Sequence, residues 1–101
     1  MKQLKTVFKK DGTITAANAS TLNDGAAACI LMSQSKAEEL NNKPIAKIIN
    51  HVSVAQNPEW VTTAPIKAIE KVIHLCDMKI NKIDLFEINE AFSVVTMAAV
   101  K

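Results

Sequence analysis

The chain has 101 residues, is 49% hydrophobic and carries a formal net charge of +2 from 12 basic and 10 acidic side chains. Because the charges of both signs are mixed and aromatic residues make up only 4%, the composition argues against nucleic-acid binding. The apolar runs are too short for a transmembrane helix, and the basic start Met1–Lys10 is followed by Asp11 rather than an apolar core, so neither a membrane span nor a secretory signal is predicted.

The N-terminal part of the chain is predicted to be a turn followed by a close-packed segment of small residues. Asp-Gly within Lys10–Thr13 favours a turn, and Thr13–Ala16 favours an extended strand. The block Ala16–Ala28 is rich in alanine, which lets the backbone approach a helix, a ligand or an ion closely. Ser20 or Thr21 could cap a following helix. A tightly packed helix entry would also explain most of the alanines.

The middle of the chain is predicted to contain a short helix between two apolar segments. Cys29–Met32 fits a buried strand or the end of a helix, and Ser35–Glu38 has the pattern of a capping box. Asn41–Pro44 should stop this helix, and we predict a domain boundary there. Ala46–Val54 alternates like a strand, and His51 is expected on its exposed face.

A second helix is predicted to begin at Pro65, since proline suits the first helical position, with Thr63 as its cap. Its apolar side chains recur at helical spacing and should form one face: Ile66, Ile69, Val72, Ile73 and Cys76. The chain's two cysteines lie in apolar contexts without a C-x-x-C pattern, so we expect buried free thiols in a reducing compartment.

The stretch Ile83–Phe92 is predicted to change from a mostly buried strand to a helix. Asn89 and Glu90 would then lie at a strand-to-helix junction, where ligands usually bind in open α/β sheets. The first N–H groups of a helix also favour a developing oxyanion there. An alternative is that Asn89 simply caps the helix and Glu90 complements its dipole.

Two separated blocks of this sequence resemble the thiolases, the acetyl-CoA C-acetyltransferases. Asn89–Phe92, after a strand ending in Phe86–Ile88, is similar to the Asn-Glu-Ala-Phe block of that family. Phe8–Ala28 resembles the thiolase segment that closes the loop domain, and its form is most similar to mitochondrial-type acetoacetyl-CoA thiolases. The resemblance runs in order from about Leu4 to Val100.

The resemblance implies specific roles for matching residues. It implies that Asn89, with a histidine further along the family's chain, holds the water that lines an oxyanion hole. It implies contacts with coenzyme A or the substrate for Phe8, Ala16, Ser20, Ala91 and Phe92. It further implies that backbone carbonyls of Ala16, Ala17 and Ala19 help to hold a potassium ion.

The resemblance also implies an α/β fold, part of the thiolase-like layered α/β/α fold, with an incomplete mixed sheet packed by helices. Residues 1–21 would form the end of the loop domain, residues 22–43 the last part of the N-terminal domain, and residues 44–101 the first part of the C-terminal domain. The stretch resembles an internal piece of a longer enzyme. If this piece folded alone, its unpaired strand edges and apolar faces would be expected to cause non-native pairing or dimerisation.

The implied reaction is the reversible Claisen condensation of two acetyl-CoA to acetoacetyl-CoA and CoA through a cysteine acyl-enzyme. The nucleophilic Cys, the His-Pro-x-Gly His and the C-terminal Cys have no counterpart here, so this stretch alone is expected to be inactive. The expected partners are the acyl-CoA substrate, the remaining thiolase chain and further copies in a homodimer or homotetramer. The expected location is the cytoplasm, or the mitochondrion in a eukaryote, with any targeting segment outside this stretch. Alternatives are a longer-chain 3-ketoacyl-CoA thiolase and a noncatalytic thiolase-derived binding or scaffold module.

Overall fold

The computed structural model describes residues 3–101, which contain three α-helices and two 3-10 helices. Met1 and Lys2, which begin the predicted loop-domain segment, lie outside the described residues. In chain order the elements are α1 (Gln34–Glu39), a first 3-10 helix (Pro58–Thr63), α2 (Ala64–Leu75), a second 3-10 helix (Ile80–Lys82) and α3 (Ser93–Val100).

The chain is elongated and encloses very little core. Its radius of gyration is 18.3 Å and its principal extents are 59 × 33 × 25 Å, whereas a compact domain of this length has a radius of gyration of about 13 Å. Within residues 3–101, only Ala37 and Val95 are buried hydrophobic side chains, at 5% and 4% exposure. Long apolar side chains such as Ile45 and Leu85 lie in the open. The described residues therefore do not bury enough apolar surface to account for a stable fold by themselves.

Helix α2 agrees closely with its sequence pattern. It begins at Ala64 with a proline in its first turn and ends at Leu75. The five apolar residues predicted to share a face are half-buried, whereas the polar positions between them are exposed: Lys67, Glu70, Lys71 and His74. Helix α2 contacts α3, which also packs against the first 3-10 helix. The predicted amphipathic helix is confirmed.

Helix α1 forms where a short helix was predicted, but it begins two positions earlier. Its N-cap is Ser33, whose hydroxyl accepts a hydrogen bond from the Lys36 amide at 3.2 Å. The predicted cap at Ser35 is therefore wrong, because Ser35 lies inside the first turn. The predicted stop is confirmed: the helix ends after Glu39, and Asn41 adopts φ 53°, the left-handed conformation that often ends a helix.

The segments predicted as strands are not paired into a sheet within the described part of the chain. The β pairing among residues 3–101 consists of two isolated antiparallel bridges, Thr6 with Thr15 and Ala19 with Phe92. Ala46–Val54 and Ile83–Ile88 carry no ladder. Val52 and Val54 are nevertheless half-buried while His51 is exposed, as the alternation predicts. Ile48, which the same alternation places with the two valines, is 66% exposed. A strand's backbone groups need a neighbouring strand, and residues 3–101 supply none for these segments.

The alanine-rich block does not lead into a helix. Residues 21–33 have no regular structure and are exposed, so the predicted helix entry after Ser20 or Thr21 is wrong. Cys29 is an exposed free thiol, which contradicts its predicted burial, and Cys76 is a half-buried free thiol. Within residues 3–101, nothing covers the apolar run Cys29–Met32, which leaves Cys29 exposed. No helix of residues 3–101 has the length and apolar character needed to cross a membrane.

Candidate functional site

The N-terminal segment folds back on itself and places Phe8 at the start of a tight turn. The Val7 amide donates a hydrogen bond to the Ile14 carbonyl at 3.0 Å, next to the Thr6–Thr15 bridge. Within the turn the Gly12 amide donates to the Lys9 carbonyl at 2.9 Å. A Cβ on Gly12 would lie 2.9 Å from that same oxygen, so the turn depends on glycine at this position.

A second turn, Thr13–Ser20, is held by the side chain of Asn18. Its Oδ1 accepts a hydrogen bond from the Thr15 amide at 2.7 Å, and its Nδ2 donates to the Thr13 carbonyl at 2.9 Å. The Asn18 amide also donates to the Thr15 carbonyl at 3.2 Å. Ala16–Ser20 is therefore a turn followed by a short extended piece rather than part of a continuous helix.

The end of this second turn pairs with the residues that lead into α3. Ala19 forms an antiparallel bridge with Phe92. The Ser20 amide donates to the Ala91 carbonyl at 3.0 Å, and the Ser93 amide donates to the Asn18 carbonyl at 3.0 Å. The Ser20 hydroxyl also lies 3.4 Å from the Ala91 carbonyl, across a separation of 71 residues in sequence. The two blocks singled out in the sequence thus form one junction, which we call the corner: residues 16–20 with 91–93.

An aromatic contact connects Phe8 to the corner. The rings of Phe8 and Phe92 are in contact edge to face, with centroids 5.8 Å apart and an interplanar angle of 85°. Phe8 remains 71% exposed, so most of its ring is free to contact a ligand. A shallow depression lined by residues 5–11 includes this ring. Of the five predicted substrate-contacting residues, four lie within the corner and Phe8 packs against it through Phe92. The four are Ala16, Ser20, Ala91 and Phe92.

Asn89 precedes the corner and is exposed. The N-cap of α3 is Phe92, in extended conformation, so the alternative reading of Asn89 as the helix cap is wrong. Among residues 3–101, no hydrogen bond joins the Asn89 amide group to another residue. Its side-chain donor and acceptor are therefore available to groups outside this part of the structure. Glu90 is likewise exposed.

The backbone oxygens predicted to hold potassium lie on the same turn. Within the described part of the chain, the carbonyls of Ala16, Ala17 and Ala19 accept no hydrogen bond. Ala16 and Ala17 are exposed, and Ala19 is half-buried. The donor set is neutral oxygen without a carboxylate, and no group of three or more His, Cys, Asp or Glu among residues 3–101 could hold a metal ion. Neutral carbonyl oxygens suit a monovalent cation such as K⁺.

Sequence reasoning missed Asn18. The residue stands among alanines and was included only as one of the small residues of the block, yet it makes more hydrogen bonds at the corner than any of the residues singled out. The local signal was the residue type, because Asn side chains commonly form hydrogen bonds with the nearby backbone in turns. The hydrogen bond from the Ser93 amide to the Asn18 carbonyl joins residues far apart in the sequence, and no sequence pattern indicates it.

Family models match both halves of the chain. The thiolase N-terminal domain matches residues 1–35, and the thiolase C-terminal domain matches residues 42–101. The chain is 52% identical over 101 residues to an acetyl-CoA acetyltransferase of Schizosaccharomyces pombe. The aligned region covers the whole of this chain and 26% of that protein. It is 51% identical over 100 residues to the mitochondrial acetyl-CoA acetyltransferase of Mus musculus, which covers 98% of the chain and 24% of that protein.

Solved structures agree with the sequence relatives. The Acat5 thiolase of Ascaris suum in complex with coenzyme A matches with a TM-score of 0.94 at 44% identity, over 98% of this chain and 26% of that one. Human mitochondrial 3-ketoacyl-CoA thiolase matches with a TM-score of 0.91 at 36% identity, over 97% of this chain and 25% of that one. The fold of residues 3–101 therefore matches that of thiolases. The chain belongs to the thiolase family, and it spans about a quarter of the length of the relatives that it matches.

Proposed function

We propose that this chain is part of an acetyl-CoA acetyltransferase, which condenses two acetyl-CoA to acetoacetyl-CoA and CoA and catalyses the reverse thiolysis. The observation that carries the proposal is the corner, where Ser20 and Ala91 bring the two thiolase-like sequence blocks into backbone contact. The identity of 52% to an acetyl-CoA acetyltransferase supports it. Because the chain spans about a quarter of that relative, the activity is proposed for the longer polypeptide that contains it.

The proposed chemistry divides between this chain and the rest of the enzyme. A cysteine outside residues 1–101 attacks the first acetyl-CoA, forms a thioester and releases CoA. A second cysteine outside this chain removes an α-proton from the second acetyl-CoA, and the resulting carbanion attacks the acyl-enzyme and expels the first cysteine. Neither Cys29 nor Cys76 is assigned a role. Asn89 contributes its amide, which would hold a water that donates to the developing enolate oxyanion.

The corner is proposed to bind the coenzyme A part of the substrate. The exposed ring of Phe8 offers an apolar surface, and the small side chain of Ala16 lets the ligand approach the backbone. The Ser20 hydroxyl lies 3.4 Å from the Ala91 carbonyl oxygen. This is a long hydrogen bond, so the hydroxyl can donate to a ligand acceptor instead. Ala91 and Phe92 form the opposite wall. The coenzyme A complex of the Ascaris suum relative supports this use of the fold.

Potassium is proposed to bind at the carbonyls of Ala16, Ala17 and Ala19. Their freedom from hydrogen bonds within the described residues supports the proposal, because unpaired carbonyls gain most from a cation. These residues would supply only part of the coordination shell, and the ion would hold the turn in shape beside Ser20. The chemistry that potassium supplies here is structural.

The unpaired segments are proposed to complete a mixed sheet with strands elsewhere in the polypeptide. Ala46–Val54 and Ile83–Ile88 would each add to one half of the layered fold, with the domain division between residues 22–43 and 44–101. The gap between the segments that match the two thiolase domains supports a division near this point. A homodimer or homotetramer, in the cytoplasm or in the mitochondrion of a eukaryote, is proposed for the full enzyme. The mitochondrial relative in Mus musculus supports the second location.

The test uses the complete reading frame that encodes this chain. The purified enzyme is assayed for thiolysis of acetoacetyl-CoA by CoA and for the reverse condensation. Asn89→Ala should lower kcat by about 10²–10³-fold, the usual effect of losing one oxyanion-hole donor. Asn42→Ala is the matched control, since Asn42 is exposed and distant in sequence from the corner, and it should leave kcat unchanged.

The alternatives give different results in the same assays. A longer-chain 3-ketoacyl-CoA thiolase would have a higher kcat/KM for long-chain substrates than for acetoacetyl-CoA. The match to human mitochondrial 3-ketoacyl-CoA thiolase is the observation behind this alternative. A noncatalytic scaffold would bind CoA without turning over any 3-ketoacyl-CoA. Full activity of Asn89→Ala would remove Asn89 from the proposed mechanism.

A further inference from the structure

Asn18 holds the second turn together and connects it to the start of α3 through four hydrogen bonds. Its side chain bonds to Thr15 and Thr13 at 2.7 and 2.9 Å, and its amide bonds to the Thr15 carbonyl at 3.2 Å. Its carbonyl accepts from Ser93 at 3.0 Å. The side chain is half-buried, whereas its neighbours Ala16 and Ala17 are exposed. Asn18 therefore points its polar groups into the turn and leaves the surface of the turn to its neighbours.

The bond to Ser93 connects the turn to the beginning of α3. Ser93 is the first residue of that helix, and the first N–H groups of a helix have no partner within it. Phe92 provides no side-chain cap, so the Asn18 carbonyl takes the place of one. The segment just before Phe92 contains Asn89, Glu90 and Ala91. A shift of the turn would therefore also move the start of the helix and the residues that precede it.

We propose that Asn18 is a positioning residue that fixes the Ala16–Ser20 turn and locks it to the start of α3, so that both halves of the corner present one surface to the acyl-CoA. This inference rests on the proposed function. Asn18 does not itself touch the substrate in this scheme. It acts through Ser20 and the carbonyls on one side of the corner, and through Ala91 on the other.

The Asn18 side chain pairs with two backbone groups of the turn at once. Its oxygen is an acceptor for the Thr15 amide and its nitrogen is a donor for the Thr13 carbonyl. Alanine would leave both groups without this partner. Serine could still accept from the Thr15 amide, as hydroxyls do more weakly in such turns. The chemistry therefore predicts the order Asn, Ser, Ala for the precision of the turn.

The experiment compares Asn18→Ala, Asn18→Ser and the control Asn42→Ala in the enzyme made from the complete reading frame. For Asn18→Ala we expect the KM for acetoacetyl-CoA to rise about tenfold, as the loss of two net hydrogen bonds predicts, while kcat changes less than about threefold. Asn18→Ser should restore part of the loss. Asn42→Ala should match the wild-type enzyme in both constants.

Amide hydrogen exchange supplies a second readout, because a loosening confined to the turn would not change exchange at the start of α3. Asn18→Ala should speed exchange in the peptide covering residues 13–20 and also in the peptide that begins α3, which includes Ser93. If Asn18→Ala failed to fold, Asn18→Ser would carry the same two measurements. Unchanged KM in an active enzyme, a loss confined to kcat, or unchanged exchange at the start of α3 would each overturn the inference. Absence of thiolysis by the wild-type enzyme would instead reject the proposed function.

Discussion

Phe8 contacts Phe92 edge to face with ring centroids 5.8 Å apart, so the turn that carries Phe8 packs against the residue at the N-cap position of α3. This geometry is one that aromatic pairs prefer, since the positive edge of one ring faces the negative face of the other. The contact lies beside the Ala19–Phe92 bridge, so backbone pairing and ring packing hold the same junction.

The aromatic pair should stabilise the corner beyond the contribution of each ring alone. In a double-mutant cycle of Phe8→Ala and Phe92→Ala in the enzyme from the complete reading frame, we expect a coupling of about 0.5–1.5 kcal/mol. The quantity to measure is the free energy of local opening at the Ser93 amide, obtained from hydrogen exchange. The matched cycle of Phe8→Ala with Phe86→Ala should show no coupling, because no ring contact joins those two among the described residues. Equal coupling in both cycles would contradict the assigned contact.

The turn that presents Phe8 should not tolerate a side chain at Gly12. The built Cβ lies 2.9 Å from the Lys9 carbonyl oxygen, which is backbone and cannot move aside without opening the turn. We expect Gly12→Ala to cost about 1–3 kcal/mol, seen as a lower midpoint of thermal unfolding and faster exchange in residues 5–15. The control is Asp11→Gly. Asp11 has φ 59°, a conformation that glycine adopts freely, so this change should be near neutral. A Gly12→Ala enzyme as stable as the wild type would show that the turn has another shape.

The cap of α1 distinguishes two neighbouring serines. Ser33→Ala removes the hydroxyl that accepts from the Lys36 amide, and we expect a local loss of about 1 kcal/mol. Ser35 lies within the helix, and Ser35→Ala replaces a weaker helix former with the best one while removing only an exposed 3.0 Å contact with the Ser33 hydroxyl. This change should therefore be neutral or slightly stabilising. Hydrogen exchange at the Lys36 amide measures both. The reverse order of effects would restore Ser35 as the cap and move the helix start.

Local patterns in the sequence predicted what local physics determines. The apolar face of α2 could be read directly, because its period depends on residues within one helix, and Asn41 could be read as a stop for the same reason. The predicted cap of α1 is wrong because two serines stand near the start of the helix and only Ser35, in Ser-Lys-Ala-Glu, matches the capping-box pattern. Only the backbone geometry decided between them.

Long-range pairing could not be read in the same way. The segments Ala46–Val54 and Ile83–Ile88 have strand-like composition, but a strand forms only against a partner, and residues 3–101 contain no partner for either. Family resemblance implied roles for several residues of the corner, yet the hydrogen bonds that assemble it join residues far apart in sequence. Asn18 shows the limit most clearly: no role was predicted for it, and nothing near it in the sequence indicates Ser93 as its partner.

The best-packed position of α3 offers a comparison of two identical neighbours. Val95 is 4% exposed and Val94 is 46% exposed in the same helix. The substitution Val→Ala brings the same gain in helix propensity at both positions, so the difference between them reports burial. Val95→Ala should cost about 1–3 kcal/mol through lost contacts and a residual cavity, whereas Val94→Ala should change stability by less than about 0.5 kcal/mol. The midpoint of thermal unfolding of the enzyme from the complete reading frame measures both. Because α3 packs on α2 and on the first 3-10 helix, Val95→Ala should also speed exchange in α2, and Val94→Ala should not. Equal losses at the two positions would mean that another part of the polypeptide covers Val94 in the complete enzyme, and that α3 is buried on both sides.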